Sequence, residues 1–155
     1  MRIDFLELEG FRNYGREAAD FDPRCNVICG ENAQGKTNLL EALVYLSRGK
    51  SPRARTDREM IGFQEESARL AVRVASRERE FRVQADLFRG RRRRITVNQV
   101  PIKTNAALGD VYHTVLFQPE DLDLIREGAA ARRRFLDTAL CQLRPRYAAA
   151  LAGYE

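Results

Sequence analysis

A chain of 155 residues with 44% hydrophobic side chains is long enough to form one ordinary core, and its 32% charged residues predict a well-solvated surface. No segment approaches the roughly 20 apolar residues of a membrane-spanning helix. The N-terminus lacks the apolar core of a signal peptide, so the composition favours a cytoplasmic protein. The cysteines match neither a zinc pattern nor a redox pair and are expected to be buried thiols: Cys25, Cys29 and Cys141.

The net charge of +5 is unevenly distributed along the chain. Residues 1–47 carry 5 basic and 8 acidic side chains, whereas residues 48–155 carry 22 basic and 14 acidic side chains. Arginine accounts for 24 of the 27 basic residues, but genomic base composition also produces such a bias. The arginine content alone is therefore weak evidence of phosphate recognition.

The N-terminal third predicts strands, a glycine-rich loop and a helix in that order. Leucine alternates with glutamate within residues 2–13, which predicts a half-buried strand, and residues 17–21 predict a second one. The apolar run of residues 27–29 is typical of a strand buried on both faces of a mostly parallel sheet. Residues 38–46 carry apolar side chains around most of a helix, which predicts that this helix is buried.

The loop between that strand and helix matches the pattern Gly-x4-Gly-Lys-Thr of a phosphate-binding loop. Its glycines permit tight curvature, and the helix that follows contributes favourable partial charge for an anion. We expect Lys36 to reach the β- and γ-phosphates of a nucleoside triphosphate and the Thr37 hydroxyl to bind Mg²⁺. The predicted nucleotide-binding residues of this segment are Gly30, Glu31, Asn32, Ala33, Gln34, Gly35, Lys36, Thr37 and Asn38.

The middle of the chain has the pattern of an antiparallel sheet. After a basic loop and a short helical turn near residues 59–62, apolar and polar side chains alternate in residues 70–74, 81–87 and 95–97. This alternation predicts three antiparallel strands with one solvated face.

The C-terminal third is predicted to be mainly helical. A short helix is predicted from Asn105, a buried strand over residues 111–117, and an acidic helix start at Pro119. Apolar residues between Phe135 and Leu143 trace a helical stripe, and Pro145 predicts a kink after it.

Four segments together resemble the RecF family of bacterial recombination-repair ATPases. They are Leu-Glu-Gly-Phe-Arg-Asn-Tyr at 8–14, the loop and helix start at 30–42, Val-Leu-Phe-Gln-Pro-Glu-Asp-Leu at 115–122, and Arg-Arg-Arg-Phe-Leu-Asp at 132–137. The likeness extends over essentially the whole chain. It implies an α/β fold, namely part of a P-loop NTPase head of the ABC and SMC type. That head would have a mixed sheet with an antiparallel three-strand layer and a C-terminal helix.

The resemblance also suggests a division of the chain. We expect a P-loop subdomain at 1–66, antiparallel strands at 67–104, a glutamine-loop region at 105–128 and the start of a helical arm at 129–155. The head would form an ATP-dependent homodimer in which two copies enclose ATP and Mg²⁺. The whole protein would bind junctions of single-stranded and duplex DNA in gap repair and, with RecO and RecR, help to load RecA.

The same likeness assigns roles to individual residues. Arg12 would touch phosphate, although a solvated turn also explains it, and Gln118 would approach Mg²⁺ and the attacking water, unless it only caps the helix at Pro119. Arg53 would face the partner head or DNA. The basic hairpin is expected either to contact the DNA backbone or to be a solvated turn, and its candidate residues are Arg91, Arg92, Arg93 and Arg94.

Two motifs of an ABC-type ATPase do not occur in this sequence, namely a strand ending in Asp-Glu and a Ser-Gly signature. Without them, we expect the chain to bind ATP weakly and to hydrolyse it negligibly by itself. Two other interpretations are a small independent P-loop enzyme, such as a kinase or GTPase, and a nucleic-acid-binding module whose glycine loop is coincidental.

Overall fold

The computed structural model describes residues 1–76, 79–122 and 128–154. Its largest element is a six-stranded sheet in the order β2-β1-β3-β4-β5-β6, in which every neighbouring pair is antiparallel. The strands are β1 Arg2–Phe11, β2 Tyr14–Asp20, β3 Ser67–Ala75, β4 Glu80–Phe88, β5 Arg94–Val97 and β6 Val100–Pro101.

The described helices follow the predicted order. They are α1 at Lys36–Arg48, α2 at Ala129–Leu143 and α3 at Pro145–Tyr154. Short 3-10 turns occur at Asp57–Met60, Asn105–Leu108 and Pro119–Leu122. The predicted break at Pro145 is confirmed, because Arg144 leaves the helical conformation and α3 begins at the proline.

One face of the sheet packs against α1 to form the core. Leu70 and Val72 of β3 and Val83 of β4 are buried in that core, as their alternation with polar neighbours predicts. The opposite face carries charged side chains. Ion pairs cross this face between neighbouring strands, for example Arg69 with Asp86 at 2.8 Å.

The helix α1 begins and ends at glycines with left-handed backbone, Gly35 at a φ of 100° and Gly49 at 65°. Between them, apolar residues such as Leu39 and Leu43 face the sheet. Burial around most of the helix is thus confirmed. The first turn of α1 consequently has a fixed position relative to the sheet.

Two predictions about strands are wrong. Residues 27–29 form no strand, and Val27 is 85% exposed. Residues 111–117 form none either; in this segment Val111 and Tyr112 are buried, whereas Val115 is 97% exposed. A parallel strand needs hydrogen-bonding neighbours, and no described strand lies beside these two segments. The three predicted antiparallel strands are present, but they continue the sheet of β1 and β2 instead of forming a separate layer.

The expected burial of the cysteines is also wrong. Cys25 and Cys29 are exposed, since they lie in the segment of residues 22–30, which has no cover among the described residues. Cys141 is half-buried on α2. Residues 123–127, within the predicted glutamine-loop region, and Glu155 lie outside the described residues. Within the described ranges, no helix has the length and apolar character to span a membrane.

Candidate nucleotide-binding site

Residues 30–35 form a curved loop, and the motif residues Lys36 and Thr37 are the first two residues of α1. Positive φ angles occur at Gly30 (151°), Ala33 (67°) and Gly35 (100°). The backbone N–H of Asn38 donates to the Gly35 carbonyl at 2.8 Å, so the helix begins at the last glycine of the loop. This curvature and the helix N-terminus direct N–H groups and positive partial charge to one place, which is the arrangement that binds an anion.

The turn between β1 and β2 supports the loop from one side. Asn13 donates from Nδ2 to the carbonyl of Gln34 at 3.2 Å, and the Tyr14 hydroxyl donates to the carbonyl of Gly35 at 3.1 Å. Asn38 in turn donates to Asn13 Oδ1 at 2.8 Å. Gly35 has a φ of 100°, and a Cβ there would lie 2.7 Å from Asn13 Oδ1, so the backbone conformation and this contact both favour glycine.

Lys36 lies across the opening of the loop. Its Nζ donates to the carbonyl of Gly30 at 2.7 Å and to that of Glu31 at 2.5 Å. The lysine charge is thereby held where the loop would enclose a phosphate. The remaining predicted residues of the loop itself have exposed side chains: Glu31, Asn32, Ala33 and Gln34.

The residues at this loop fit a magnesium ion that a nucleotide brings with it. Thr37 is exposed on the first turn of α1, next to Lys36. No cluster of three His, Cys, Asp or Glu occurs among the described residues, so a dedicated protein cage is not part of that region. Mg²⁺ typically takes one or two protein oxygens together with phosphates and waters, and the Thr37 hydroxyl satisfies this requirement.

The structure does not bring Gln118 to the loop by a hydrogen bond. Its backbone N–H donates to Asp121 Oδ2 at 2.7 Å at the start of a 3-10 turn, and the Asp121 N–H donates back to the Gln118 carbonyl at 3.0 Å. No hydrogen bond among the described residues joins Gln118 to residues 30–38. Its role near Mg²⁺ therefore stays a prediction.

Arg12 is engaged by protein groups next to the loop. Its Nε donates to Glu41 Oε2 at 3.0 Å and its Nη2 to Glu41 Oε1 at 2.7 Å, which makes a two-bond ion pair. Nη1 donates to the carbonyl of Glu59 at 2.7 Å. The guanidinium thus has a fixed position at the β1–β2 turn.

An open surface cleft of about 490 Å³ lies beside this turn and reaches the start of α1 at Asn38. Four arginines line it, so an anionic ligand would meet a concentrated positive charge there. Glu59 is its acidic residue, and the Thr56 hydroxyl, which donates to the carboxylate, lowers the pKa of Glu59. The lining residues are Arg12, Asn13, Asn38, Arg53, Arg58, Glu59, Ile61, Phe63 and Arg89.

Arg53 lies at the same cleft, beside the first turns of α1. Its Nη1 donates to Asn38 Oδ1 at 3.0 Å and lies 3.8 Å from a carboxylate oxygen of Glu41. The side chain is 42% exposed, so it remains accessible to an external anion. This position is compatible with the predicted contact to DNA or to a partner head, which stays a prediction.

The basic hairpin between β4 and β5 contains two kinds of arginine. Arg91, Arg92 and Arg94 are exposed, and the guanidinium of Arg91 stacks on the ring of Phe88 at 3.6 Å. These three side chains form the exposed arginine group. Closely spaced exposed cations gain from neutralisation by phosphates, so this group is suited to a nucleic-acid backbone.

Arg93 does not belong to this exposed group, because protein groups already pair its guanidinium; its contact with DNA stays a prediction. Its Nη1 donates to Asp57 at 3.0 Å and to the Tyr45 hydroxyl at 3.0 Å, and its Nη2 donates to Asn105 Oδ1 at 3.0 Å. Burial raises the pKa of Tyr45, so its hydroxyl stays neutral beside the ion pair. Arg93 thereby connects the hairpin to α1 and to the segments around Asp57 and Asn105.

Sequence reasoning missed two features of the site. Glu41 has a side chain that is 0% exposed, and its signal was a single carboxylate within the apolar residues 38–46. Such a group is buried only when it is paired, so a basic partner was to be expected. Arg58 and Arg89 of the cleft had no comparable signal, because their position in the cleft depends on the fold.

Comparison with known proteins places this geometry in a family. The family model described as an AAA domain matches residues 6–142. Over 155 residues the chain is 40% identical to the DNA replication and repair protein RecF of Agathobacter rectalis and 43% identical to that of Leifsonia xyli subsp. xyli. The whole chain is covered in both alignments, but it spans only 43% and 40% of the two relatives.

Solved structures agree with these matches. A structure of the recombination mediator protein RecF-ATPrS in the RecFOR pathway superposes with a TM-score of 0.93 at 31% identity, over 98% of this chain and 41% of that one. The RecF-ATP structure of the same pathway gives 0.92 at 32% identity, over 99% of this chain and 41% of that one. A chain from work on SMC ATPases gives 0.71 at 20% identity, over 88% of this chain and 98% of that one, which shows the fold alone.

The α/β fold class of a partial P-loop head, predicted from the sequence, is confirmed by these matches. The chain therefore belongs to the AAA domain family and corresponds to the N-terminal part of RecF, with the fold of a partial P-loop head.

Proposed function

We propose that this chain binds ATP with Mg²⁺ through residues 30–38, as part of a DNA-repair ATPase. The observation that carries the proposal is the curved loop at the start of α1 with Lys36 across its opening. The two RecF relatives described with ATP and ATPrS support the same choice of nucleotide.

Binding would use the groups already directed at the loop. Backbone N–H groups of residues 33–37 would donate to phosphate oxygens, while Lys36 exchanges its carbonyl acceptors at Gly30 and Glu31 for the β- and γ-phosphates. Mg²⁺ would neutralise phosphate charge, with the Thr37 hydroxyl as its protein ligand. Asn13 and Tyr14 would keep the loop in the curved form that these bonds need.

DNA contact is the second part of the proposed function. The exposed arginine group, Arg91, Arg92 and Arg94, together with Arg53, would contact the phosphate backbone at junctions of single-stranded and duplex DNA. The whole protein would act in the cytoplasm as an ATP-dependent homodimer. It would help RecO and RecR to load RecA in gap repair.

Catalysis would need groups that this sequence does not contain. No strand ending in Asp-Glu and no Ser-Gly signature occurs in residues 1–155. We therefore expect binding without appreciable turnover by this chain alone. Rapid hydrolysis by the purified chain would contradict this expectation.

Substitution Lys36→Ala tests the nucleotide site. Because the ammonium would make charge-assisted bonds to two phosphates, its removal is expected to weaken Mg-ATP binding by at least about 100-fold in titration calorimetry. Lys103→Ala, at an exposed position away from the loop, is the matched control and is expected to bind like the wild type. Unchanged affinity in Lys36→Ala would overturn the proposal and favour a nucleic-acid-binding module with a coincidental glycine loop.

A further inference from the structure

Glu41 is the most deeply buried acidic side chain beside the nucleotide loop, with 0% of its side chain exposed. It lies on α1 and accepts two hydrogen bonds from Arg12. It accepts a third, at 2.5 Å, from the hydroxyl of Ser51. A second cation, Arg53, lies 3.8 Å from it, so one carboxylate holds two arginines from different segments.

These contacts close a ring of side chains around the start of α1. Arg53 donates to Asn38, Asn38 donates to Asn13, and Asn13 follows Arg12 in the chain. Asn13 also donates to the carbonyl of Gln34 in the loop. The ring therefore joins the carboxylate of Glu41 to the backbone that would enclose the phosphates.

The two arginines are not held equally. Arg12 makes two short bonds to Glu41, and its side chain is 21% exposed. Arg53 has only the 3.8 Å approach and is twice as exposed, at 42%. A bidentate pair fixes a guanidinium plane, whereas a longer charge contact leaves the side chain adjustable. Both line the open cleft beside the β1–β2 turn.

Burying a carboxylate is costly unless it is paired and hydrogen-bonded, so the protein maintains Glu41 at this position only together with its cations. Arg12 also has a left-handed backbone at a φ of 55°, which is unfavourable for a residue with a side chain. The bonds to Glu41 offset that strain and set the direction of the guanidinium.

We propose that Glu41 is a positioning residue of the nucleotide site: it holds Arg12 next to the loop where a polyphosphate would bind. This inference rests on the proposed function, because it needs an anion at the loop. Glu41 itself touches no ligand, since it is fully enclosed by its protein partners. Its effect on binding is exerted through the guanidinium of Arg12.

The test is a double-mutant cycle with Glu41→Gln, Arg12→Gln and the combined variant, measured as Mg-ATP affinity on the full chain. Gln keeps the shape of the side chain but loses its charge. Each single change is expected to weaken binding by about tenfold, as the loss of one charge-assisted contact predicts. The double variant is expected to lose no more than either single one.

Two further variants separate positioning from a general loss of stability. Glu41→Asp keeps the charge on a shorter stem, so it is expected to recover part of the affinity that Glu41→Gln loses. Glu80→Gln, at an exposed position of β4, is the control and should change nothing. The thermal midpoint of each variant is recorded with saturating and without added Mg-ATP.

Three outcomes would overturn the inference. The first is wild-type affinity in Glu41→Gln while Lys36→Ala still weakens binding by at least about 100-fold, which would leave the proposed function intact. The second is multiplication of the two losses to about 100-fold in the double variant, because independent contributions multiply. The third is a loss of Mg-ATP affinity in Glu41→Asp as large as that in Glu41→Gln, with the loss in each variant proportional to the fall in its thermal midpoint. If Lys36→Ala itself binds normally, the proposed function has failed first.

Discussion

The neighbouring residues Arg93 and Arg94 have the same side chain but opposite predicted roles. Arg93 makes hydrogen bonds to Asp57, Tyr45 and Asn105 near 3.0 Å, and its side chain is 25% exposed. Arg94 is exposed on β5. We therefore expect Arg93→Gln to lower the stability of the fold and Arg94→Gln to lower the affinity for DNA.

The expected change in the free energy of unfolding depends on which groups lose a hydrogen-bond partner. Hydrogen bonds to a charged group contribute about 1.5–3 kcal/mol each. Asp57 keeps one partner after the change, since the Tyr45 hydroxyl still donates to it at 3.0 Å. The expected loss in the free energy of unfolding is therefore about 2 kcal/mol for Arg93→Gln. For Arg94→Gln it is within about 0.5 kcal/mol, as is usual at exposed positions.

Two measurements on each variant check this assignment. Urea denaturation followed by circular dichroism gives the free energy of unfolding. Binding of a labelled DNA junction at several salt concentrations gives the number of phosphate contacts, and the loss of one contact reduces the salt slope by about 0.9. Arg94→Gln is expected to show the smaller slope, whereas Arg93→Gln keeps the slope of the wild type.

The reverse pattern would refute the reasoning. A stable Arg93→Gln with a reduced salt slope would mean that the bonds to Asp57, Tyr45 and Asn105 contribute little and that Arg93 reaches DNA. If neither variant changes the slope, the exposed arginine group is a solvated turn, and only the structural half of the prediction is left.

Two further predictions concern the loop and its neighbour at the cleft. Gly35→Ala is expected to abolish detectable Mg-ATP binding and to cost about 1–2 kcal/mol of stability from backbone strain alone. The reasons are the φ of 100° at Gly35 and the new Cβ, which would lie 2.7 Å from Asn13 Oδ1. Wild-type affinity in calorimetry would contradict this, and the control is Gly15→Ala, whose Cβ would have nothing within 4 Å. The Thr56 hydroxyl lowers the pKa of Glu59 in the folded state. The stability that this ionised carboxylate contributes is therefore present above its pKa in the unfolded chain and is lost as the pH falls through its pKa in the folded protein. As the pH is lowered from about 6 to about 3, the free energy of unfolding should therefore fall less in Glu59→Gln than in the wild type. An identical dependence of the unfolding free energy on pH in the two proteins would refute the assignment.

The local pattern of residues in the sequence was sufficient to predict much of the fold. The alternation in β3 and β4 has a period of two and appears in the structure as one buried and one charged face. Gly35 and Gly49 mark the ends of α1, because left-handed backbone at a helix end favours glycine. The loop motif at residues 30–37 was predictable for the same reason, since each of its requirements is met within eight consecutive residues.

Burial of whole segments was less predictable. An apolar run such as residues 27–29 or 111–117 indicates that a segment is stable when it is buried. It does not indicate which other segment it packs against. Within the described ranges nothing covers Val27 or Val115. The two relatives compared with this chain are more than twice as long.

Pairing of charges across the fold is the part that sequence pattern conveys least. Arg12 and Glu41 are 29 residues apart, and Arg93 and Asp57 are 36 apart, yet each pair meets within 3.0 Å. A run of arginines therefore overstates the positive charge that is available to a ligand. In this chain Asp57 pairs with Arg93 and Glu41 pairs with Arg12, while Arg53 makes only a longer charge contact, at 3.8 Å, to Glu41. The positive charge that is accessible at this site thus depends on the buried carboxylate of Glu41 as much as on the arginines.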